Sequence, residues 1–204
     1  MSTRKRLVIG VIVIFFILLA TSSCSSNDAE VNNSSDSTYT EYQCDAKIIS
    51  LSTKIEIQKE NEEFATVEGN IFTFVTDPLT MYDPDDNKVA YAGDAYHFIA
   101  QDSHTIYVDN TGVLEMVGLV DIFGESYDIY DMNSQKVAEV SFNVWDTNGK
   151  MYDMDGRLIA EYTSNPLFWD FDVRIYKECE FDERAVLMIF CSYYSDKEYD
   201  ASNN

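Results

Sequence analysis

Two stretches, Tyr127-Asp-Ile-Tyr-Asp-Met-Asn-Ser-Gln-Lys-Val-Ala-Glu-Val140 and Lys150-Met-Tyr-Asp-Met-Asp-Gly-Arg-Leu-Ile-Ala-Glu-Tyr162, decide the fold of this chain. Each leads in with alternating residues, passes through a turn rich in Asp, Asn or Gly, and leaves on a strand that starts Val-Ala or Ile-Ala. Asp, Asn and Gly tolerate the positive φ of a tight turn, so the pattern reads as a β-hairpin. Earlier copies are Ile55-Glu-Ile-Gln-Lys-Glu-Asn-Glu-Glu-Phe-Ala65, Leu79-Thr-Met-Tyr-Asp-Pro-Asp-Asp-Asn-Lys-Val-Ala90 and Thr105-Ile-Tyr-Val-Asp-Asn-Thr-Gly-Val-Leu-Glu-Met116.

Outside the cassettes the same period of two persists. Ala138, Val140, Phe142 and Val144 fall on one face and Glu139, Ser141 and Asn143 on the other. Trp169, Phe171, Val173 and Ile175 alternate with Asp170, Asp172 and Arg174. One apolar and one polar face is the signature of antiparallel sheet. About a dozen such strands would curl, and closure into a barrel removes the exposed edges.

The chain ends differently. Glu180, Asp182 and Glu183 put acids where a helix N-terminus favours negative charge. Ala185-Val-Leu-Met-Ile-Phe-Cys191 then has no polar side, which describes a core helix. Burying those residues is worth on the order of 10–15 kcal/mol as an upper bound. The expected fold is therefore all-β: a closed antiparallel barrel of about twelve strands around a buried helix near 181–195.

The start of the chain is an export leader. Arg4, Lys5 and Arg6 precede an apolar run from Leu7 to Ala20, and Thr21, Ser22 and Ser23 lead to Cys24. This run is short of the ~20 residues that a spanning helix needs and suits a secretory signal. Small residues before Cys24 resemble the lipobox of bacterial lipoproteins, although Thr21 stands where an aliphatic residue is usual. That resemblance makes Cys24 the lipid-attachment residue. Simple cleavage near Ser23 and an uncleaved anchor are the alternatives, and all three place the domain outside the cytoplasm, on the cell membrane or secreted. The expected layout is a signal peptide over 1–23, a polar tether over 24–43, the barrel over 44–198 and a tail over 199–204.

With the leader's three bases set aside, 36 acids face 11 bases, a net charge of −25. Such a chain is poorly suited to nucleic acid, whose binding rests on Lys and Arg, or to anionic headgroups. Solubility explains the charge. A cationic partner, Ca²⁺ or a basic peptide, would fit it as well. Asp83-Pro-Asp-Asp-Asn87 and Asp153-Met-Asp-Gly156 are the loops with some likeness to Ca²⁺ ligation, but EF-hand spacing is absent and turn chemistry accounts for them.

If Cys24 carries lipid, Cys44, Cys179 and Cys191 remain. Cys191 belongs to the apolar helix and reads as a buried free thiol; Cys44 with Cys179 is the expected disulfide pair in an exported chain, and three unpaired thiols are the alternative. The two histidines, His97 and His104, belong to no metal or catalytic motif. The sequence contains no nucleophile elbow, phosphate loop or dinucleotide fingerprint. No cofactor, catalytic residue or metal ligand is assigned.

The serial cassettes, strongest at Met81-Tyr-Asp83, Ile129-Tyr-Asp131 and Met151-Tyr-Asp153, together with Ala185–Cys191, resemble the LURP-one-related family of the tubby C-terminal and phospholipid-scramblase superfamily. The likeness runs over roughly Tyr42 to Asp196. It implies a twelve-strand barrel around a hydrophobic C-terminal helix. Tubby-like domains read phosphoinositides through basic surface residues, and this acidic chain has no matching cluster. The functional expectation is a membrane-anchored, non-catalytic interaction module facing an envelope or protein partner. Lipid handling is the alternative, and a surface hydrolase using carboxylates is a third reading.

Overall fold

The computed structural model describes residues 38–203 apart from 50–51, 71–78, 95–102, 120–124, 144 and 166–169. Twelve strands follow one another: β1 (Tyr39–Ile49), β2 (Ser52–Lys59), β3 (Glu62–Asn70), β4 (Leu79–Tyr82), β5 (Lys88–Asp94), β6 (Ser103–Val108), β7 (Thr111–Leu119), β8 (Glu125–Asp131), β9 (Lys136–Phe142), β10 (Asn148–Asp153), β11 (Leu158–Asn165) and β12 (Asp170–Tyr176). Each pairs antiparallel with its sequence neighbours, and β1 closes onto β12 in a barrel. Among the described residues one helix, α1 (Glu183–Asn203), follows the strands.

The cassette has a physical explanation. In four of the five hairpins a large inward residue stands opposite an alanine: Ile57 and Ala65, Met81 and Ala90, Ile129 and Ala138, Met151 and Ala160. All eight are almost fully buried. Of these alanines, Ala90 lies on β5, a strand that α1 approaches closely. Ile106 instead faces Leu114 in the remaining hairpin. In all five, the register shifts one residue after the large residue, a β-bulge that twists the strand into its turn.

The turns come in two kinds. Glu60-Asn61 and Asp109-Asn110 are two-residue connections with both residues at positive φ, the I′ geometry whose twist matches the strands. The other kind opens on Asp83, Asp131 or Asp153. Its Oδ1 accepts the N–H groups two and four residues on, at 2.8–3.0 Å, and the fourth residue of the turn (Asp86, Ser134 or Gly156) takes the positive φ. The tyrosine–aspartate signature thus marks an outward residue at the bulge followed by the turn's own cap.

Helix α1 threads the lumen. Val186, Leu187, Met188, Ile189, Phe190 and Cys191 are all completely buried. Asp182 caps its start, accepting the Arg184 N–H at Oδ1 (2.8 Å) and the Val186 N–H at its carbonyl (3.1 Å). A cluster of rings packs around the helix. Phe142 stacks on Tyr193 and meets Tyr127, Tyr162 and Phe190 edge-on.

Two boundaries differ from the sequence reading. The sheet starts at Tyr39, so residues 39–43, expected in the tether, belong to β1, where Tyr42 is wholly buried. The helix continues to Asn203, through the stretch expected as a tail. Trp169 and Val144, placed on strand faces from their alternation, lie outside the described residues.

Gly149 faces Phe142 across the β9–β10 pair, and a Cβ there would meet the ring at 2.4 Å. The ring is held by its aromatic neighbours and has nowhere to go. Gly149→Ala is therefore expected to cost about 1–3 kcal/mol in denaturant unfolding. Gly93→Ala, whose Cβ would sit 3.9 Å from Tyr107, is expected to cost nothing measurable.

Candidate functional site

The barrel has two unlike ends. At the turn end the five cassette hairpins close and α1 enters. At the exit end the β9–β10 turn lies and α1 leaves.

The turn end is held by charge. Glu183 accepts hydrogen bonds from the Tyr42 hydroxyl and from Lys59 Nζ, the latter at 2.9 Å. Arg184 grips both carboxylate oxygens of Asp109, at 2.9 and 3.0 Å, and also both of Asp182. Burial and the Glu183 carboxylate push the Tyr42 hydroxyl well above its usual range, so it remains a donor. Outside the wall at this end, a cleft of ≈ 290 Å³ is lined by Lys136, Asp153, Met154, Arg157, Glu178 and Phe181 among others. Its cations are already paired, Lys136 with Asp128 at 2.6 Å and Arg157 with Asp153 at 2.7 Å.

The exit end carries a polar layer over the ring cluster. Tyr193 donates to Asp146 Oδ1 at 2.7 Å. Lys197 pairs with Glu125 and, at 3.6 Å, with Asp146. His104 Nε2 lies 2.8 Å from Asp196 Oδ2, which joins β6 to the helix. The Tyr193 hydroxyl is pushed far up by burial and by Asp146. Thr53 Oγ1 and Ser192 Oγ, on β2 and α1, are buried without a hydrogen-bond partner. The arrangement anchors a helix. Nothing in it activates a nucleophile.

Cys24 and His97 lie outside the described residues. Cys44 and Cys179, expected as a disulfide, are free thiols. Cys44 stands opposite Phe171 in the β1–β12 register, five residues short of Tyr176, or ~17 Å along the strand. Cys179 lies beyond Tyr176, in the turn into α1. The two therefore sit toward opposite ends of the sheet, well outside the ~7 Å between Cα atoms that a disulfide tolerates. Cys44 and Cys191 are both fully enclosed, and burial pushes the Cys191 thiol up to about 12. Such thiols are protonated and unreactive.

The two loops weighed for Ca²⁺ are capped turns. Asp83 and Asp153 are held below the usual carboxylate range by their hydrogen bonds to Asn87 and Arg157. Among the described residues no group of three or more His, Cys, Asp or Glu is placed to hold a metal ion. Asp172, on the outer wall, is a carboxylate held above its ordinary value, by partial burial and then by the charge of Glu41, while Arg174 opposes. Glu41 is itself bound to Arg174 at 2.7 Å. Among the described residues this carboxylate pair is the nearest approach to acid–base chemistry. It belongs to a strand face of the barrel wall.

Sequence reasoning missed the His104–Asp196 and Lys197–Glu125 pairs. They join residues 92 and 72 positions apart, and no local pattern could reveal them.

The turn aspartates give a pH test. Asp131 is lowered chiefly by the Gln135 N–H, so its contribution to stability is present above the unfolded value of about 3.9 and is lost as pH falls through the lower folded value. Asp131→Asn keeps the acceptor, as Asn143 does in the β9–β10 turn, where it accepts the Thr147 N–H at 2.9 Å. The variant is expected to keep its melting temperature at pH 7 and to lose less than the parent between pH 5 and pH 3, read by circular dichroism. Asp131→Ala should melt lower at pH 7. An unchanged melting temperature for Asp131→Ala at pH 7 would show that the cap does not hold the turn.

Alkylation is the direct check on the cysteines. Denatured without reductant, the protein is expected to take up label at Cys44, Cys179 and Cys191 alike. Protection of Cys44 and Cys179 together would restore the disulfide.

No protein-family model matches this chain, and comparison with curated proteins finds no match.

Proposed function

We propose that this protein is a membrane-tethered module outside the cytoplasm that acts by binding, without catalysis. The observation that carries this reading is the filled lumen. With the helix completely buried from Val186 to Cys191 and the rings of Phe142, Tyr162 and Tyr193 packed on it, ligands are met on the outside of the barrel. That arrangement disfavours a carrier that holds acyl chains inside. The carboxylate pair at Glu41 and Asp172 sits on a wall face, where a hydrolase would lack a concavity to position its substrate.

Support for the tether comes from the leader: the basic Arg4-Lys-Arg6, the apolar run to Ala20, and Cys24 after small residues. The serial cassettes and the helix-filled barrel support grouping the chain with the LURP-one-related family, as a fold without that superfamily's basic lipid-reading surface.

The test is intact mass spectrometry and membrane fractionation of the full-length protein made in a bacterium, beside Cys24→Ser. The parent is expected in the membrane fraction with a diacylglycerol-sized mass that the variant lacks. A stoichiometric non-covalent lipid retained by both would overturn the binding-module reading in favour of lipid handling.

A further inference from the structure

We infer that Met132 and Met154 are sites of covalent modification, the two thioethers at which the folded domain takes up oxygen from a hydroperoxide while its core is spared. Met132 is 54 % exposed and Met154 58 %. Met81, Met116, Met151 and Met188 are each 0 % exposed. The fold thus sorts one kind of sulfur into two classes, one open to solvent and one sealed from it.

The two exposed positions are equivalent. Each directly follows a capping aspartate, Asp131 or Asp153, in the turn of a cassette hairpin. The cap holds the N–H groups of Asn133 and Gln135 in one turn and of Asp155 and Arg157 in the other. The methionine between the cap and its first donor is passed over by these bonds. Pro84 takes the same place after Asp83, so the turn itself does not call for a methionine there. Strand order sets the β8–β9 and β10–β11 turns side by side on one rim.

Neither sulfur is packed on all sides. Met132 lies along the β6–β7 hairpin, where a Cβ on Gly112 would come 3.1 Å from its Cε and 3.4 Å from its Sδ. Met154 lines the cleft of ≈ 290 Å³ together with Phe181, Lys136 and Arg157, and that space is ample for a molecule the size of hydrogen peroxide.

The step is an oxygen transfer. A lone pair of the thioether attacks one oxygen of hydrogen peroxide, the S–O bond forms and the O–O bond breaks. The proton of the transferred oxygen passes to the displaced one, which leaves as water. Sulfur loses two electrons, and the peroxide gains them. The sulfoxide oxygen is a strong acceptor that needs water or a donor. At the two turns water supplies it. On Met151, which faces inward beside Ala160, or on Met188 within α1, the same oxygen would be a polar atom without a partner in the core. The turn sulfurs therefore react in the folded protein, and the buried ones only when it opens. These sites do not depend on the anchor at Cys24.

The test is exposure of the full-length protein to hydrogen peroxide, with peptide mapping by mass spectrometry and melting followed by circular dichroism. The peptides of Met132 and Met154 are expected to gain one oxygen each, at least about tenfold faster than those of Met81, Met116, Met151 and Met188, with the melting temperature unchanged. In denaturant that difference in rate is expected to vanish. Uptake at the buried four as fast as at the turn pair in the folded chain overturns the proposal, and so does a turn pair that stays unmodified. A melting temperature that drops once those two oxygens are in place overturns the sparing of the core. Met132→Leu combined with Met154→Leu keeps size and apolar character. It is expected to melt with the parent and to leave the buried four unmodified under the same treatment. A variant that melts well below the parent gives these methionines a part in the fold and overturns their assignment as expendable oxygen acceptors.

Discussion

A twelve-strand barrel encloses more space than wall side chains can fill, and everything else here follows from filling it. The filler is a helix about 10–12 Å across with its side chains, and it fits only if the wall recedes where it passes. The helix comes nearest to β5, β6, β7 and β12, and on β5 the inward residues Ala90 and Ala92 are small and almost fully buried. Gly149 gives Phe142 the same kind of room, since a methyl group there would collide with its ring.

A helix apolar on every side has no preferred rotation or depth. Its ends supply both. At entry, Arg184 and Glu183 are fixed to Asp109, Lys59 and Tyr42. At exit, Tyr193, Asp196 and Lys197 are fixed to Asp146, His104 and Glu125. The contacts reach β1, β2, β6, β8 and two turns, so the helix is set against strands on several sides of the barrel. Individually these are partly exposed pairs of modest worth. Their role is to specify one arrangement out of many that hydrophobic burial alone would allow.

Much of the fold was legible in the cassettes because their information is local. Tyr-Asp marks the bulge and the cap, Val-Ala marks the return strand, and the period of two settles which residue faces inward. What escaped notice depended on distant partners. Thr40, Glu41 and Gln43 are as polar as a tether, and only the pairing of Tyr39 with Tyr176 makes them a strand. Composition suggested joining Cys44 to Cys179, and register separates them by most of a strand. The helix appeared to end where Ser195, Asp196 and Lys197 turn polar, yet those residues are the latch at the exit rim. The setting of Trp145 was the least legible of all, since its turn is braced from β11 and α1.

The acidity of the chain has a similar origin. A net charge of −22 invites a search for a cationic ligand. Yet Asp83, Asp131 and Asp153 are needed to cap turns, Asp182 to cap the helix, and Asp109, Glu125, Asp146 and Glu183 to hold it in place. Each is accounted for by a bond inside the domain. Charge committed in this way is built into both ends of the domain: Asp83, Asp131 and Asp153 cap turns where the hairpins close, and Glu125 and Asp146 hold the helix where it leaves. Acidic side chains that serve the fold at both ends are no evidence of a cationic ligand.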